Sequence, residues 1–342
     1  MKAVRLRGHG GFEQLEYRAD VAVPAPGPGE VLVRIAAAAI NNTDINTRIG
    51  WYDQSISAAT ADVSTPPPDA RGWRGSPAVF PRIQGADACG RLVGAGTRVL
   101  IDPVLASEMG AGAPPRYFGS DCDGAFAEYA CVPAANAQRI DSTLSDIELA
   151  ALPCAYGAAE TMLTRLALRS GETLLIRGAS GGVGSAAVQL ARLRGARIIA
   201  VCSADKGEAL RALGAEQIIE RDADLLAALG AESVDALIDV VGGPGASGAL
   251  NILRRRGRYA TAGAIAGPAV TLDWRTLYLK DLTLYGCTVP DPGVFTRLLQ
   301  YVERGELVPP VAAVYPLSRI IEAQEAFLAK RHVGKIVLLP GA

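Results

Sequence analysis

Histidine is nearly missing from this 342-residue chain. There are two, His9 and His332, near opposite ends and outside any cluster. Metal centres and acid–base sites built on imidazole are therefore not expected. The six cysteines are Cys89, Cys122, Cys131, Cys154, Cys202 and Cys287. No two stand in a C-x-x-C pair, which argues against a zinc ribbon or a redox motif and for free, mostly buried thiols. An excess of either charge is lacking too: 34 basic residues against 35 acidic ones leave a net charge of −1. Nucleic acid and anionic membrane surfaces are not expected as main partners. No run of eighteen apolar residues occurs, and the opening segment Met1–Tyr17 has no signal-like apolar stretch. A soluble, cytoplasmic protein is expected.

What the chain does have is apolar material, 49% of residues, at a length that suits two domains. Its most informative stretch is Thr173–Ser203. Leu174, Leu175 and Ile176 read as a buried strand. A turn rich in glycine follows, Gly178 to Gly184, and then apolar residues at helical spacing: Val183, Ala187, Leu190, Ala191 and Leu193. Ile198–Cys202 reads as a second strand. This is a βαβ unit of about thirty residues, the size of a dinucleotide fingerprint. Glycine lets the strand turn at once into the helix, whose free N–H groups then face a pyrophosphate. Ser180, Gly181, Gly182, Val183 and Gly184 are the expected cradle. An NAD site places Asp or Glu about twenty residues past the glycines to hold the ribose 2′-OH. Here Cys202 and Ser203 stand at the strand tip. Ser203 can donate to a 2′-phosphate and Lys206 can pair with it, so NADPH is expected over NADH. Asp205 is expected to cap the helix beginning near Lys206.

The βα pattern then repeats. Helices are expected at Lys206–Leu213, Leu225–Leu229 and Ala246–Leu253, and strands at Gln217–Ile219, Ala236–Val241, Arg258–Ala262 and Leu282–Cys287. Such alternation gives a doubly wound parallel sheet of Rossmann type, with ligands beyond the carboxyl ends of the strands. Val241, Gly242 and Gly263 are the expected neighbours of the nicotinamide half. Upstream, Met1–Leu6 reads as an edge strand with a partner at Glu13–Tyr17, and Val31–Ala39 as another strand. Together they suggest a small, mostly antiparallel β domain. Ser145–Leu168 reads as two helices separated near Pro153 and Tyr156-Gly157. The run Arg254-Arg255-Arg256 with Arg258 reads as the solvated end of a helix.

Several segments carry a resemblance. Asn41, Asp44, Arg48, Gly50 and Tyr52 form an N-x-x-D-x-x-x-R-x-G-x-Y stretch. Phe80–Gly90, Asp123–Tyr129, Gly178–Gly184 and Gly334–Leu338 follow in order. Together they resemble the medium-chain dehydrogenase/reductase superfamily, in its zinc-independent quinone oxidoreductase and enoyl reductase branches. The resemblance implies a GroES-like catalytic domain over 1–126 and 290–342, with a Rossmann domain over 127–289. It also implies a homodimer paired through the Leu282–Cys287 strand, and Thr288 near the nicotinamide. Where zinc members carry ligands, this chain reads Asn41-Asn42-Thr43-Asp44 and Gly85-Ala86-Asp87, and the lobe of four close cysteines is absent. No bound metal is expected, because catalytic zinc needs three protein ligands and an open position.

Without metal, hydride addition to a quinone or an enone leaves charge on an oxygen or a carbon that the site must stabilise and protonate. Tyr52 is the expected donor. Asn41 would orient substrate or the nicotinamide carboxamide, and Asp44 would hold Tyr52 or Asn41 in place. Arg48 is expected to pair with an acid. A second tyrosine common in the family is Asn46 here. The insertion Asp53–Val79 lacks any apolar period. It reads either as a lid with Trp73 turned inward or as a surface loop. The expected activity is NADPH-dependent reduction of quinones or activated C=C bonds. A 2-enoyl thioester reductase and a silent NADPH-binding sensor are the alternatives.

Overall fold

The structure is a computed structural model that describes residues 1–63, 67, 69–73, 75, 77–105 and 115–342. Its first unit is built around Glu30–Ala39, the longest described strand. The run ends in small apolar residues, and Ala37, Ala38 and Ala39 are fully buried. Glu30–Ala39 pairs antiparallel with Asp87–Leu92 and with Tyr129–Pro133, and its end pairs with Lys335–Leu339. The chain's last strand thus closes the sheet that its third strand began. Val311–Pro316 runs parallel beside Lys335–Leu339. Ala137–Arg139 joins the same sheet through Arg98–Ile101, which carries the first unit past residue 126, the boundary expected from the sequence. Ala3–Leu6 is also not at an edge: it lies between Leu15–Arg18 and Arg82–Ile83.

The second unit is the expected parallel sheet. Six described strands stand in the order Gln217–Glu220, Arg197–Cys202, Thr173–Arg177, Val234–Asp239, Leu253–Thr261 and Thr283–Gly286, every neighbouring pair parallel. Thr173–Arg177 is the point from which the order runs outward in both directions. Ligands of such sheets sit beyond the carboxyl ends there. Helices Asp146–Ala150 and Pro153–Arg165 enter this unit, with Pro153 opening the second, where its missing N–H costs nothing. Gly157 lies inside that second helix instead of dividing it. The arginine run falls on the strand Leu253–Thr261 and not at a helix end. Arg254, Arg255 and Arg258 each pair with their own acid, Asp235, Asp281 and Glu172.

The units share a core. Ala37, Ala39, Cys89 and Leu100 of the first belong to one buried cluster with Leu152, Tyr156, Leu174 and Ile176 of the second. Glu160, fully buried on helix Pro153–Arg165, accepts from Arg194 at 2.7 Å and from Arg297 at 3.2 Å. Two cations on one carboxylate fix this helix against its two neighbours.

Candidate active site

The dinucleotide turn is shaped by what glycine leaves out. Gly178 has φ +77°, and a Cβ at Gly184 would stand 2.2 Å from the Gly178 carbonyl oxygen. A Cβ at Gly181, in contrast, would meet only Gly178 O at 3.7 Å. The turn is therefore closed on its protein side and open on the other. The twelve-residue helix Gly182–Leu193 begins at that open face with its first N–H groups unspent on the helix. A pyrophosphate fits such a cradle.

The strand tip differs from expectation in one respect. Ser203 bonds to the Asp205 side chain, and this holds the Asp205 carboxyl below its ordinary range. Asp205 therefore does not cap Gly207–Leu213; it turns back on Ser203 because a short 3-10 turn, Ala204–Lys206, intervenes. Lys206 is buried, and its ammonium donates to the Lys330 carbonyl. At the next strand end, the fully buried Asp239 accepts from the Val241 and Gly242 N–H groups at 2.7 and 3.0 Å. Its other oxygen takes Arg177 and the Tyr259 hydroxyl. Gly263 lies alongside, where a Cβ would be 3.3 Å from Val240 O. Thr288 is exposed just past the edge strand.

On the side of the first unit, helix Asn42–Arg48 begins at Asn41. The Asn41 N–H donates to Asp44 Oδ2 at 2.8 Å, and the Gly85 N–H donates to Asp44 Oδ1 at 3.2 Å. Asp44 thus joins the start of the helix to the segment before Asp87–Leu92. Burial pushes its carboxyl up to about 7, against the pull of the Asn41 N–H and of Lys335. The Asn41 side chain is committed: Nδ2 donates to Asp87 Oδ2 at 2.8 Å and to Ala39 O at 3.3 Å, and Oδ1 accepts from Lys335. The Lys335 ammonium also donates to Asp87 Oδ2 at 2.8 Å, and the Cys154 N–H donates to Asp87 Oδ1 at 2.6 Å. Asn41, Asp87 and Lys335 are all buried. The amide expected to orient substrate is instead spent inside this network.

Tyr52 donates to Thr43 Oγ1 at 3.0 Å, and burial raises its phenol to about 12. Asn46, at the place of the second tyrosine, bonds to Tyr52 and accepts from Thr60 Oγ1 at 3.3 Å. A second phenol arrives from elsewhere. Tyr117 donates to Cys154 Sγ at 3.1 Å, and its ring lies 5.0 Å from that of Trp73. Cys154 lies near enough to both phenols to oppose their ionisation, and Tyr52 opposes that of Tyr117. Burial keeps Tyr117 well above its ordinary range and raises Cys154 to about 12, so both phenols and the thiol are neutral donors near pH 7. Ala86, Val104 and Val289 pack beside Tyr117, Trp73 and Cys154 as an apolar wall. The Trp73 ring packs on that of Tyr117, and the Thr60 N–H of the inserted loop donates to Ile265 O of the other unit at 3.0 Å. Ser64–Pro66, Pro68, Arg74 and Ser76 of that loop lie outside the described residues.

Among the described residues Arg48 makes no salt bridge: it donates to Gln324 Oε1 and to Gly10 O, each at 3.0 Å, and stands over the Phe12 ring. His9 sits between the Thr47 and Ala70 carbonyl oxygens. Tyr117 and Cys154 carry no local motif that could have marked them from sequence as site residues, and Lys335 lies in the Gly334–Leu338 segment read there only as a strand.

A zinc ion does not fit this donor set. Among the described residues no three His, Cys, Asp or Glu side chains stand close enough to hold a metal. The acceptor atoms of Asn41 and Asp87 already face an ammonium.

The family described as zinc-binding dehydrogenase matches residues 182–304, and the alcohol dehydrogenase GroES-like domain family matches residues 27–142. A solved structure from Sinorhizobium meliloti 1021, itself named only provisionally as an alcohol dehydrogenase, is 44% identical with a TM-score of 0.90. The match covers 99% of this chain and 96% of that one. A 2-octenoyl-CoA carboxylase reductase, solved with NADP and 2-octenoyl-CoA, is 25% identical with a TM-score of 0.83, over 99% of this chain and 87% of that one. The quinone oxidoreductase of Lama guanicoe is 28% identical over 353 residues, 99% of this chain and 97% of its own length.

Proposed function

The chain belongs to the medium-chain dehydrogenase/reductase superfamily of oxidoreductases, and from that premise we propose that it reduces quinones or activated C=C bonds with NADPH, without a metal. The observation that carries this reading is the Lys335–Asn41–Asp87 network. Alcohol oxidation by zinc members relies on a Lewis acid to stabilise an alkoxide. Here an ammonium holds that ground, bonded to an amide and a carboxylate. A conjugated acceptor makes a smaller demand, since its charge is delocalised and hydrogen-bond donors can meet it.

The nicotinamide supplies the hydride when bound. The chain supplies the rest. Ser180, Gly181, Gly182, Val183 and Gly184 hold the pyrophosphate, and Val241, Gly242, Gly263 and Thr288 border the nicotinamide half. Ser203 and Lys206 favour the 2′-phosphate, at a strand tip that carries Cys202 where an acid would hold a ribose hydroxyl. Tyr52 gives its hydrogen bond, and then its proton, to the atom of the acceptor that gains charge; Thr43 is its partner at rest. Asp44 and Asn41 hold the helix and the network that place Tyr52. Trp73, Val104 and Val289 keep water from the reacting face. A homodimer through Thr283–Gly286, where Leu284 is exposed, fits the same reading.

One observation favours a second reading. The similarity to the 2-octenoyl-CoA carboxylase reductase brings a 2-enoyl thioester into view as acceptor. Against it, the arginine run expected to receive a carrier phosphate has its side chains paired singly with Asp235, Asp281 and Glu172.

The test is Tyr52→Phe. Loss of a positioned proton donor lowers kcat by about 10²-fold or more, with the dissociation constant for NADPH unchanged. Turnover equal to that of the native enzyme would remove Tyr52 from the chemistry.

A further inference from the structure

The inserted loop reaches the site through one short 3-10 turn, Thr60–Asp62. The Thr60 N–H is the first of this turn and finds no partner within it. It crosses to the parallel-sheet unit and donates to Ile265 O at 3.0 Å. Ile265 lies in the loop after strand Leu253–Thr261, and that loop is bonded to the neighbouring strand end. The Ala266 N–H donates to Val241 O at 2.8 Å, and the Gly243 N–H donates to Gly267 O at 3.0 Å. The Thr60 backbone is thus anchored to the unit that carries the dinucleotide turn. Two residues earlier, Ala58 O accepts from Trp51 Nε1 at 3.1 Å, which ties the same loop to the neighbour of Tyr52.

The Thr60 side chain serves the other unit. It is buried, and its hydroxyl donates to Asn46 Oδ1 at 3.3 Å. Asn46 is buried as well, on helix Asn42–Arg48, and its side chain also bonds to Tyr52. An amide side chain has one oxygen and one NH2 group. With the Thr60 hydrogen on Oδ1, the NH2 group is left for the phenol oxygen. The bond acts on Tyr52 in that sense, since it favours the ionised phenol while burial opposes it. The Tyr52 hydrogen stays free of Asn46 and goes to Thr43 Oγ1 at 3.0 Å. Were the amide turned over, its oxygen would compete with the acceptor for that hydrogen.

We propose that Thr60 is a positioning residue for the proton donor: by occupying Asn46 Oδ1 it turns the amide N–H groups to the Tyr52 oxygen, where they stabilise the phenolate left when Tyr52 gives up its proton. The inference rests on Tyr52 as the donor, the reading proposed above, and extends it to a residue of the inserted loop. In the step itself the acceptor, having gained hydride, takes the proton from Tyr52. The O–H bond breaks, its electron pair stays on the phenol oxygen, and a proton from solvent later restores the phenol. Preorganised N–H donors aimed at the atom where charge develops lower the barrier to this transfer.

The experiment is steady-state kinetics of the full chain with NADPH and a quinone or an enone, on Thr60→Val, Thr60→Ser, Tyr52→Phe and the double variant Thr60→Val with Tyr52→Phe. Valine keeps the shape of threonine and the backbone N–H but removes the hydroxyl; serine keeps the hydroxyl. Thr60→Val should lower kcat about tenfold, the loss of one hydrogen bond that orients a donor to developing charge. KM and the dissociation constant for NADPH should stay as in the native chain. Thr60→Ser should recover most of the native kcat. With Tyr52→Phe already in place, Thr60→Val should cost nothing further. Asp62→Asn, exposed on the same turn, should behave as the native chain does. Should Thr60→Val not fold, Asn46→Ala removes the same amide and should show the same loss of kcat, absent again beside Tyr52→Phe. A native kcat in Thr60→Val, an equal loss in Thr60→Ser, or a loss that persists in full beside Tyr52→Phe overturns the assignment of Thr60. If Tyr52→Phe turns over as the native chain does, the donor reading falls and this inference with it. If Tyr52→Phe loses turnover while Thr60→Val keeps it, only this inference falls. A native chain that turns over neither acceptor would overturn both.

Discussion

Replacing Lys335 by methionine isolates the ammonium at the centre of the site. Methionine keeps most of the stem that lies against Gly182 and removes the charge. Asp87 has a fully buried side chain, and Lys335 is only 3% exposed at its own. Without Lys335, the carboxylate retains the Cys154 N–H and the Asn41 amide but faces no cation. Breaking a buried ion pair from one side costs about 3–5 kcal/mol, because the remaining charge stays in a medium that cannot solvate it. At about 2–4 °C per kcal/mol for a large domain, the melting temperature should fall by about 6–20 °C. Calorimetry and circular dichroism of the full chain would read this. The informative control is the double variant Lys335→Met with Asp87→Asn. It has no uncompensated charge, the oxygen of the introduced amide can still accept from the Cys154 N–H, and the Asn41 amide can turn to meet its neighbour. The double variant should therefore be more stable than Lys335→Met alone. A single variant within about 1 kcal/mol of the native chain, or a double variant no better than the single, would refute the view of Lys335 as the internal counter-charge.

The remaining predictions concern the turn and the start of the site helix. Gly184→Ala places a methyl group 2.2 Å from the Gly178 oxygen, so the turn must open. Dinucleotide affinity should fall about tenfold or more, by fluorescence titration, as the N–H groups leave the phosphate; native affinity would contradict the geometry of the turn. Asp44 has a folded-state carboxyl raised from 3.8 to about 7, so its stabilising contribution is fully present below pH 3.8 and is lost as pH rises through 7. Asp44→Asn mimics the neutral form. Urea unfolding from about pH 4.5 to 8 should show the variant gaining on the native chain by up to about 1.4 kcal/mol per pH unit below 7. A pH-independent difference would mean that Asp44 is ionised throughout.

What the sequence revealed was local. The glycine turn, its strand and its helix lie within about thirty residues, and each element constrains the next, so all three could be read from Thr173–Ser203. Lys335 could not be read in this way. Its partners Asn41 and Asp87 are 294 and 248 residues away, and nothing near Lys335 marks it as more than a strand residue. Asn41 was legible as a candidate, but its partner was not, because the ammonium that claims its oxygen comes from the far end of the chain. Tyr117 was hidden for the same reason, since its thiol partner is on another element. The arginine run misled because clustered cations suggest a solvated helix end, whereas Arg254, Arg255 and Arg258 each have an acid partner. Their acids lie on neighbouring strands and turns, where only the fold brings them into reach. Tyr129–Pro133, past the boundary expected at residue 126, finds its partner nearly a hundred residues earlier, in Glu30–Arg34.

The measurement that bears most directly on the whole account is oxidation of NADPH by the purified chain after treatment with a chelator. A quinone, an enone and a 2-enoyl thioester would be offered side by side, with NADH and a simple alcohol with NADP as controls. The account predicts turnover of a conjugated acceptor with NADPH, undiminished by the chelator, and none of the alcohol. Alcohol oxidation that disappears on chelation and returns with zinc would contradict it, because the Lys335–Asn41–Asp87 network would then have to give way to a metal.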